Sequence, residues 1–196
     1  MVKKVKVSVF QKPKKGNYYC GDSYYFTESD SGFLCAIADG LGSGEYAKES
    51  SQIVIDIIKN NVNSTVEQLI KMCNEQLFKK RGVVLGILKL NFHSQMYSYS
   101  SIGNIGVLTV VKGQKKKRSI PNGGYLAGYP KKFKVVHDKL EPETNFIMFS
   151  DGVSDKDLSQ RYFLNKDVDS VIKAFEYMSE QVRDDDTTLI ALRYDK

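Results

Sequence analysis

The sequence predicts an α+β fold: a four-layer α-β-β-α sandwich of two antiparallel sheets flanked by helices. Short apolar runs and period-two alternation recur along most of the chain, and amphipathic helical stretches interrupt them twice early and once late. The resulting order is strands, two helices, a long run of strands, one helix and a closing strand. That order belongs to segregated layers rather than to repeated βαβ units. Two sheets packed face to face with helices outside would bury every apolar stripe.

Taken in order, Val5, Val7 and Val9 alternate with polar residues over an opening strand. After a turn at Lys14-Lys15-Gly16-Asn17, strands are predicted over 23–27 and 32–38. The glycines and small residues of 40–44 break the second of these and open a helix over 45–60. Ala47, Ser51, Val54, Ile57 and Ile58 form its apolar stripe. Ser64 and Glu67 make a capping-box pattern for a second helix, which carries Val66, Leu69, Ile70, Cys73 and Leu77 on one face. Both stripes read as core packing.

From Gly82 onward the pattern returns to strands, over 83–90, 95–101 and 106–111. A hairpin turn at Val111-Lys112-Gly113-Gln114 leads to a strand over 116–120, followed by strands over 133–136 and 146–150. Val168, Val171, Ile172, Phe175 and Met178 mark a third helix over 168–182, and 188–193 is the last strand.

The 196 residues, 41% of them hydrophobic, suit one domain spanning 1–196 with a sizeable core. No apolar stretch approaches the roughly 20 residues of a membrane span. The N-terminus alternates lysine with valine and lacks the continuous apolar centre of a secretion signal, so a cytoplasmic protein is expected. Cys20, Cys35 and Cys73 lie far apart and form no C-x-x-C pair, which favours reduced thiols over disulfides or zinc. With only His93 and His137 available, a histidine-rich metal site or a Ser-His-Asp triad has little material. The net charge of +6 comes from lysine clusters at Lys12, Lys14 and Lys15, at 115–118, and at Lys131, Lys132 and Lys134. These fall in predicted loops and hairpin tips, and no helix carries a basic stripe. They read first as a solvated rim and second as a weak attraction for an acidic or phosphorylated partner.

The chemistry lies in four acidic motifs: Gly21-Asp22, Ala38-Asp39-Gly40, Ser150-Asp151-Gly152 and Asp184-Asp185-Asp186-Thr187-Thr188. The second and third follow apolar runs and the fourth precedes one. An aspartate at the end of a buried strand is costly unless something positive meets it. Several together point to a shared cation, and carboxylates with carbonyls and water suit Mg²⁺ or Mn²⁺. Asp39 is the expected bridging ligand between two ions about 3.5–4 Å apart. Gly40 would offer its backbone carbonyl. Asp151 and one residue of the Asp184–Asp186 run would complete one metal shell, and Asp22 would contribute to the other. Two such ions would ready a water to attack phosphorus and neutralise phosphoryl charge, so no side-chain nucleophile is required. Each motif alone has a plainer reading: Asp-Gly is usually a turn, and the triplet could be a solvated loop. Gly40-Leu41-Gly42-Ser43-Gly44 lacks the lysine pattern of a phosphate-cradling nucleotide loop.

In this order, the motifs resemble those of the PPM family of metal-dependent Ser/Thr protein phosphatases, in particular its SpoIIE-like bacterial subgroup. The strongest single piece is Ala38-Asp39-Gly40-Leu41-Gly42-Ser43-Gly44, and the match covers nearly the whole chain. Lys80-Arg81-Gly82, Gly103-Asn104 and Gly124-Tyr125-Leu126-Ala127-Gly128 add to the similarity. The resemblance implies two Mn²⁺ or Mg²⁺ ions and hydrolysis of phosphoserine or phosphothreonine. It implies phosphorylated STAS-domain stressosome proteins of the RsbS and RsbR type as substrates, with a negative role in sigma-B signalling. By the same resemblance Asp39 is the bridging ligand, Gly40 the carbonyl ligand, Asp151 and Asp185 ligands of the first metal, and Asp22 the holder of waters on the second. Asp22 and Asp39 are thereby the catalytic carboxylates, and the protein is expected to act as a monomer. Asp185 is preferred on motif spacing, with Asp184 and Asp186 as rivals. Leu41 stands where many eukaryotic relatives have a histidine, which leaves the general acid unassigned. The competing readings are a catalytically silent phosphoprotein-binding regulator and a basic nucleic-acid binder.

Overall fold

The computed structural model describes residues 3–112, 115–178 and 183–195. One sheet orders β1 (Val5–Lys12), β10 (Thr187–Tyr194), β9 (Thr144–Phe149), β6 (Gly106–Val111) and β7 (Lys115–Arg118). The other orders β2 (Asp22–Glu28), β3 (Gly32–Gly40), β4 (Val83–Asn91), β5 (Met96–Ile102) and β8 (Val136–Lys139). Every pairing is antiparallel. Helices α1 (Glu45–Asn60) and α2 (Val66–Gln76) pack on the second sheet. Helix α4 (Val168–Met178), preceded by the short α3 (Asp155–Leu158) and a 3-10 turn at Arg161–Leu164, packs on the first. This is the four-layer sandwich the sequence predicts.

Period-two alternation sorts the side chains into three apolar layers. On β3, Phe33, Cys35 and Ile37 enter the layer between the sheets, while Leu34, Ala36 and Ala38 pack beneath α1 and α2. On β10, Ile190 and Leu192 point inward, and Leu189 and Ala191 lie against the α4 layer. Each large side chain buried this way contributes about 1.5–3 kcal/mol. The same parity carries Asp39 onto the inter-sheet face after Ile37, Ser150 after Met148, and Thr188 before Ile190. The inner layer therefore ends in polar groups at one end of the sandwich.

Several predicted details shift. The cap of α2 is Thr65 rather than Ser64: its hydroxyl accepts from Gln68 N at 3.3 Å and Gln68 Oε1 accepts from Thr65 N at 2.9 Å. The strand predicted over 133–136 begins only at Val136. Lys134 is held instead by side chains, since its N–H donates to Asn122 Oδ1 and its carbonyl accepts from Ser100 Oγ. Neighbouring Phe133 and Val135 pack against the helical layer. The strand predicted over 116–120 is Lys115–Arg118. The third helix is described to Met178, and its predicted extension to 182 lies outside the described residues, as does the turn at Gly113-Gln114. No helix among the described residues is long and apolar enough to cross a membrane.

Candidate metal centre

Four chain segments reach the polar end of the inter-sheet layer: the start of β2, the end of β3, the residues after β9, and those before β10. Asp22 and Asp39 are direct cross-strand partners in the β2–β3 ladder, so their side chains share one face. Like charges in that position destabilise a sheet unless something offsets them. Asp22 is fully buried, and its Oδ2 accepts from Ser150 Oγ and from Thr188 Oγ1, both at 2.7 Å. These two hydroxyls come from the opposite sheet and tie the sheets together at the site. The other oxygen, Asp22 Oδ1, is buried without a hydrogen-bond partner. A buried carboxylate oxygen left bare is unfavourable unless a cation or water meets it.

The electrostatics point the same way. Burial pushes Asp22 up to about 6, with the Thr188 and Ser150 hydroxyls pulling back and Asp186 and Asp151 adding to the rise. Burial also pushes Asp39 up to about 8, reinforced by the charges of Asp22, Asp151, Asp185 and Asp186. Asp151 is raised by burial and then by Asp185. The carboxylates therefore lie within electrostatic reach of one another. They do not form a closed cluster: among the described residues, no three His, Cys, Asp or Glu side chains stand as a ready coordination shell. Bringing like charges together in a partly buried place costs energy that a cation would offset. The donor set, carboxylates with an orphaned oxygen and no histidine or thiolate, fits a hard divalent cation.

The Asp184–Asp186 triplet divides by environment. Asp186 is buried, and its two oxygens accept from Lys14 N and Gly21 N, both at 2.9 Å. It is therefore a clamp that fastens the loop leading into Asp22. Asp184 and Asp185 are exposed, and of these two it is Asp185 whose charge, like that of Asp186, acts on both Asp39 and Asp151. Asp151 Oδ2 accepts from Asn104 Nδ2 at 2.6 Å, which orients it from the β5–β6 turn. A cleft of about 420 Å³ opens beside Asp151 and Asp185, with Lys156 and Arg183 on its walls.

The motif glycines have packing reasons. A Cβ on Gly40 would collide with the backbone carbonyl of Ala47 in α1, and one on Gly152 with Thr187 and the Asp186 carbonyl. A Cβ on Gly21 would stand 2.8 Å from Asp186 Oδ2. Gly40 thus lets α1 sit directly against the end of β3. Helix α1 also grips the Asp22 segment: Ser51 Oγ donates to Gly21 O at 2.6 Å, and Lys48 Nζ donates to Asp22 O at 3.0 Å.

All five residues expected from the sequence, Asp22, Asp39, Gly40, Asp151 and Asp185, lie at this end of the sandwich. The supporting groups Ser150, Thr188 and Asn104 carry no role in that expectation, and Asp186, a rival of Asp185 for the metal there, is instead committed to the Lys14 and Gly21 backbone. Strand parity could have flagged Ser150 and Thr188, because each continues an inward-facing apolar series.

Comparison with known proteins adds a family. Residues 29–195 match the family model for Stage II sporulation protein E (SpoIIE). Over 186 residues the chain is 32% identical to the phosphoserine phosphatase RsbX of Bacillus subtilis (strain 168), covering 95% of this chain and 94% of that protein. A crystal structure of RsbX in complex with magnesium superimposes with a TM-score of 0.89 at 34% identity, over 96% of this chain and 94% of that one. A chain from a structure of the bacterial stressosome, a modular system adapted to control secondary messenger signaling, superimposes with a TM-score of 0.85. It covers 97% of this chain and 100% of that chain at 18% identity, a likeness of fold alone.

Proposed function

This chain belongs to the SpoIIE family, within the PPM class, and from that premise we propose that it is a metal-dependent phosphoserine/phosphothreonine protein phosphatase, with residues 1–196 forming one catalytic domain. The observation that carries this reading is the cross-strand pairing of buried Asp22 with half-buried Asp39, with one Asp22 oxygen left bare at a carboxylate-rich end of the fold. The 32% identity to a phosphoserine phosphatase over nearly all of both chains supports it.

Asp22, Asp39, Asp151, Asp185 and the Gly40 carbonyl would hold two Mg²⁺ or Mn²⁺ ions. Bound there, divalent cations supply the charge that acidifies water and offsets the negative charge on a phosphoryl group. The chain's own residues prepare the place. Ser150 and Thr188 occupy Asp22 Oδ2 and leave Oδ1 available. Asn104 fixes Asp151, and Asp186 clamps the loop before Asp22. Leu41, next to Gly40, brings no proton donor, so an acid for the leaving alcohol must come from elsewhere than residue 41.

The substrates proposed are phosphorylated STAS-domain stressosome proteins of the RsbS and RsbR type, with the enzyme a cytoplasmic monomer that restrains sigma-B signalling. Incubating the protein with a phosphorylated STAS-domain protein and with an unrelated phosphoprotein, each with Mn²⁺ or EDTA, tests both levels. Mn²⁺-dependent release that is selective for the first is the expected result. Equal release in Mn²⁺ and EDTA would overturn the metal-dependent reading. Equal release from both proteins in Mn²⁺ would overturn the substrate reading alone. Tight binding without any turnover would leave a silent phosphoprotein-binding module.

A further inference from the structure

We propose that an exposed platform beside the metal centre, built from Leu41, Tyr46, Phe78, Arg81, Tyr125 and Lys131, is the docking surface for an acidic protein segment flanking the phosphorylated residue. The inference rests on the phosphatase reading and adds to it what kind of sequence is recognised.

Three loops that the catalytic centre does not otherwise use meet here. The loop after Gly40 is fastened to the one before β4 by Leu41 N donating to Gly82 O at 2.8 Å and Arg81 Nη1 donating to Leu41 O at 3.2 Å. The loop carrying Tyr125 joins them where Val83 and Leu126 exchange two backbone hydrogen bonds of 2.9 Å. Asn74 of α2 clamps its far side, accepting from Ala127 N and Gly128 N and donating to Tyr129 O at 2.7 Å. At Gly82 a Cβ would come within 2.5 Å of the Tyr125 ring and 2.7 Å of Leu41, so the three segments are close-packed. Lys80-Arg81-Gly82 and Gly124-Tyr125-Leu126-Ala127-Gly128 thereby gain a shared place.

The platform is aromatic, open and basic. Tyr46 is 67% exposed, Phe78 55%, Tyr125 52% and Tyr129 69%. Phe78 and Tyr129 meet edge to face at 6.3 Å, Arg81 lies 5.4 Å over the Tyr46 ring, and Lys79 lies 5.5 Å over Phe78. So many exposed aromatics held on a rigid frame mark an interaction surface. Of the nearby acids, Glu49 is held by Lys80 at 2.8 Å, and Glu75 lines the groove beside Lys131. Among the described residues, Lys79, Arg81 and Lys131 have no carboxylate within salt-bridge distance. Charge complementarity therefore selects an acidic occupant. Its position selects a protein rather than a nucleic acid: Leu41 is two residues from Asp39, so a polyanion lying here would continue across the carboxylates. A chain with acidic residues on one side of a single phosphoryl group avoids that repulsion.

Two synthetic phosphoserine peptides, one flanked by Asp and Glu and the other by Lys and Arg, provide the test with Mn²⁺ at low salt. The expected kcat/KM ratio favours the acidic-flanked peptide by about tenfold and shrinks as salt rises. Reversing charge in a Lys79→Glu, Lys131→Glu double variant should bring the ratio towards one, and any general loss of turnover cancels in the ratio. A second variant, Tyr129→Ser, should raise KM for the acidic-flanked peptide even if the double variant misfolds. A wild-type ratio near one, or a ratio untouched by charge reversal, overturns the proposal. So does competition by a single-stranded oligonucleotide stronger than that by the acidic-flanked peptide. Absence of Mn²⁺-dependent turnover on both peptides counts against the phosphatase reading instead. Fluorescence anisotropy of the same labelled peptides then decides the platform, equal affinity overturning it and preference for the acidic one supporting it.

Discussion

Asp39 and Gly40 are adjacent, yet they make opposite demands on the fold. Asp39 is a half-buried carboxylate facing Asp22 across the β2–β3 ladder, within reach of three further carboxylates. Removing its charge relieves repulsion while depriving a cation of its central partner. Asp39→Asn should therefore lower metal-dependent phosphate release at least about 10²-fold, the scale of several kcal/mol of lost charge stabilisation. Its melting temperature in EDTA should equal or exceed that of the wild type, as thermal melts beside a phosphate-release assay would read. A clear drop in that temperature would mean the carboxylate is structural. Gly40→Ala should behave in the reverse way, because its new methyl meets the Ala47 carbonyl. Overpacking of this kind costs about 1–3 kcal/mol, so its melting temperature should fall whether or not metal is present. If Gly40→Ala melted like the wild type and lost only metal response, the glycine would be there for its carbonyl rather than for helix packing.

Elements owe their positions to a few ties that burial alone does not supply. Asp167 caps α4, its Oδ2 accepting from Ser170 N at 3.1 Å and Ser170 Oγ at 2.7 Å, while Lys6 of β1 donates to its other oxygen at 2.6 Å. Lys6 and Ser170 hold this carboxyl below the usual carboxylate range, so the charged form is favoured by folding. The sign follows: the contribution is present above the unfolded pKa near 4 and is lost as pH falls through the lower folded value. Asp167→Ala should thus melt below the wild type at neutral pH, with the gap closing as pH drops below about 4 and narrowing in high salt. A gap independent of pH would assign the effect to the cap geometry without the charge. Long periodic elements such as β3, β4 and α1 were legible in the sequence because burial alone sets their pattern. The misread edges have particular causes. The α2 cap moved by one residue because Thr65 and Gln68 make the same box as Ser64 and Glu67 on paper. Strand β8 began late because Asn122 and Ser100 take the backbone groups of Lys134. Helix α3, four residues capped by Ser154 and Asp157, is too short to show a period.

At the scale of the whole molecule, a chain with a net charge of +6 gathers several of its carboxylates at one end of the sandwich. The sequence made the gathering legible, since three of the four motifs adjoin an apolar run, but not the division of labour inside it. Nothing in Asp184-Asp185-Asp186 says which residue turns inward; the contacts of Asp186 with Lys14 and Gly21, about 170 positions away, decide that. Asn104 and Thr188 likewise act across distances that only the register of the sheets defines. An end assembled from mutually repelling groups of both sheets should be where cation binding and fold stability are most tightly linked. A cation that binds this folded end and not the unfolded chain stabilises by mass action, about 2.7 kcal/mol at one hundred times its Kd. For a chain of this size that corresponds to a rise in melting temperature of about 5–10 °C on passing from EDTA to saturating Mn²⁺ or Mg²⁺. Gly40→Ala should begin lower and keep much of the rise, whereas Asp39→Asn should lose it. Identical melts in EDTA and saturating Mn²⁺ for the wild type would show that these carboxylates hold no divalent cation, because an ion that binds the folded end and not the unfolded chain must raise the melting temperature.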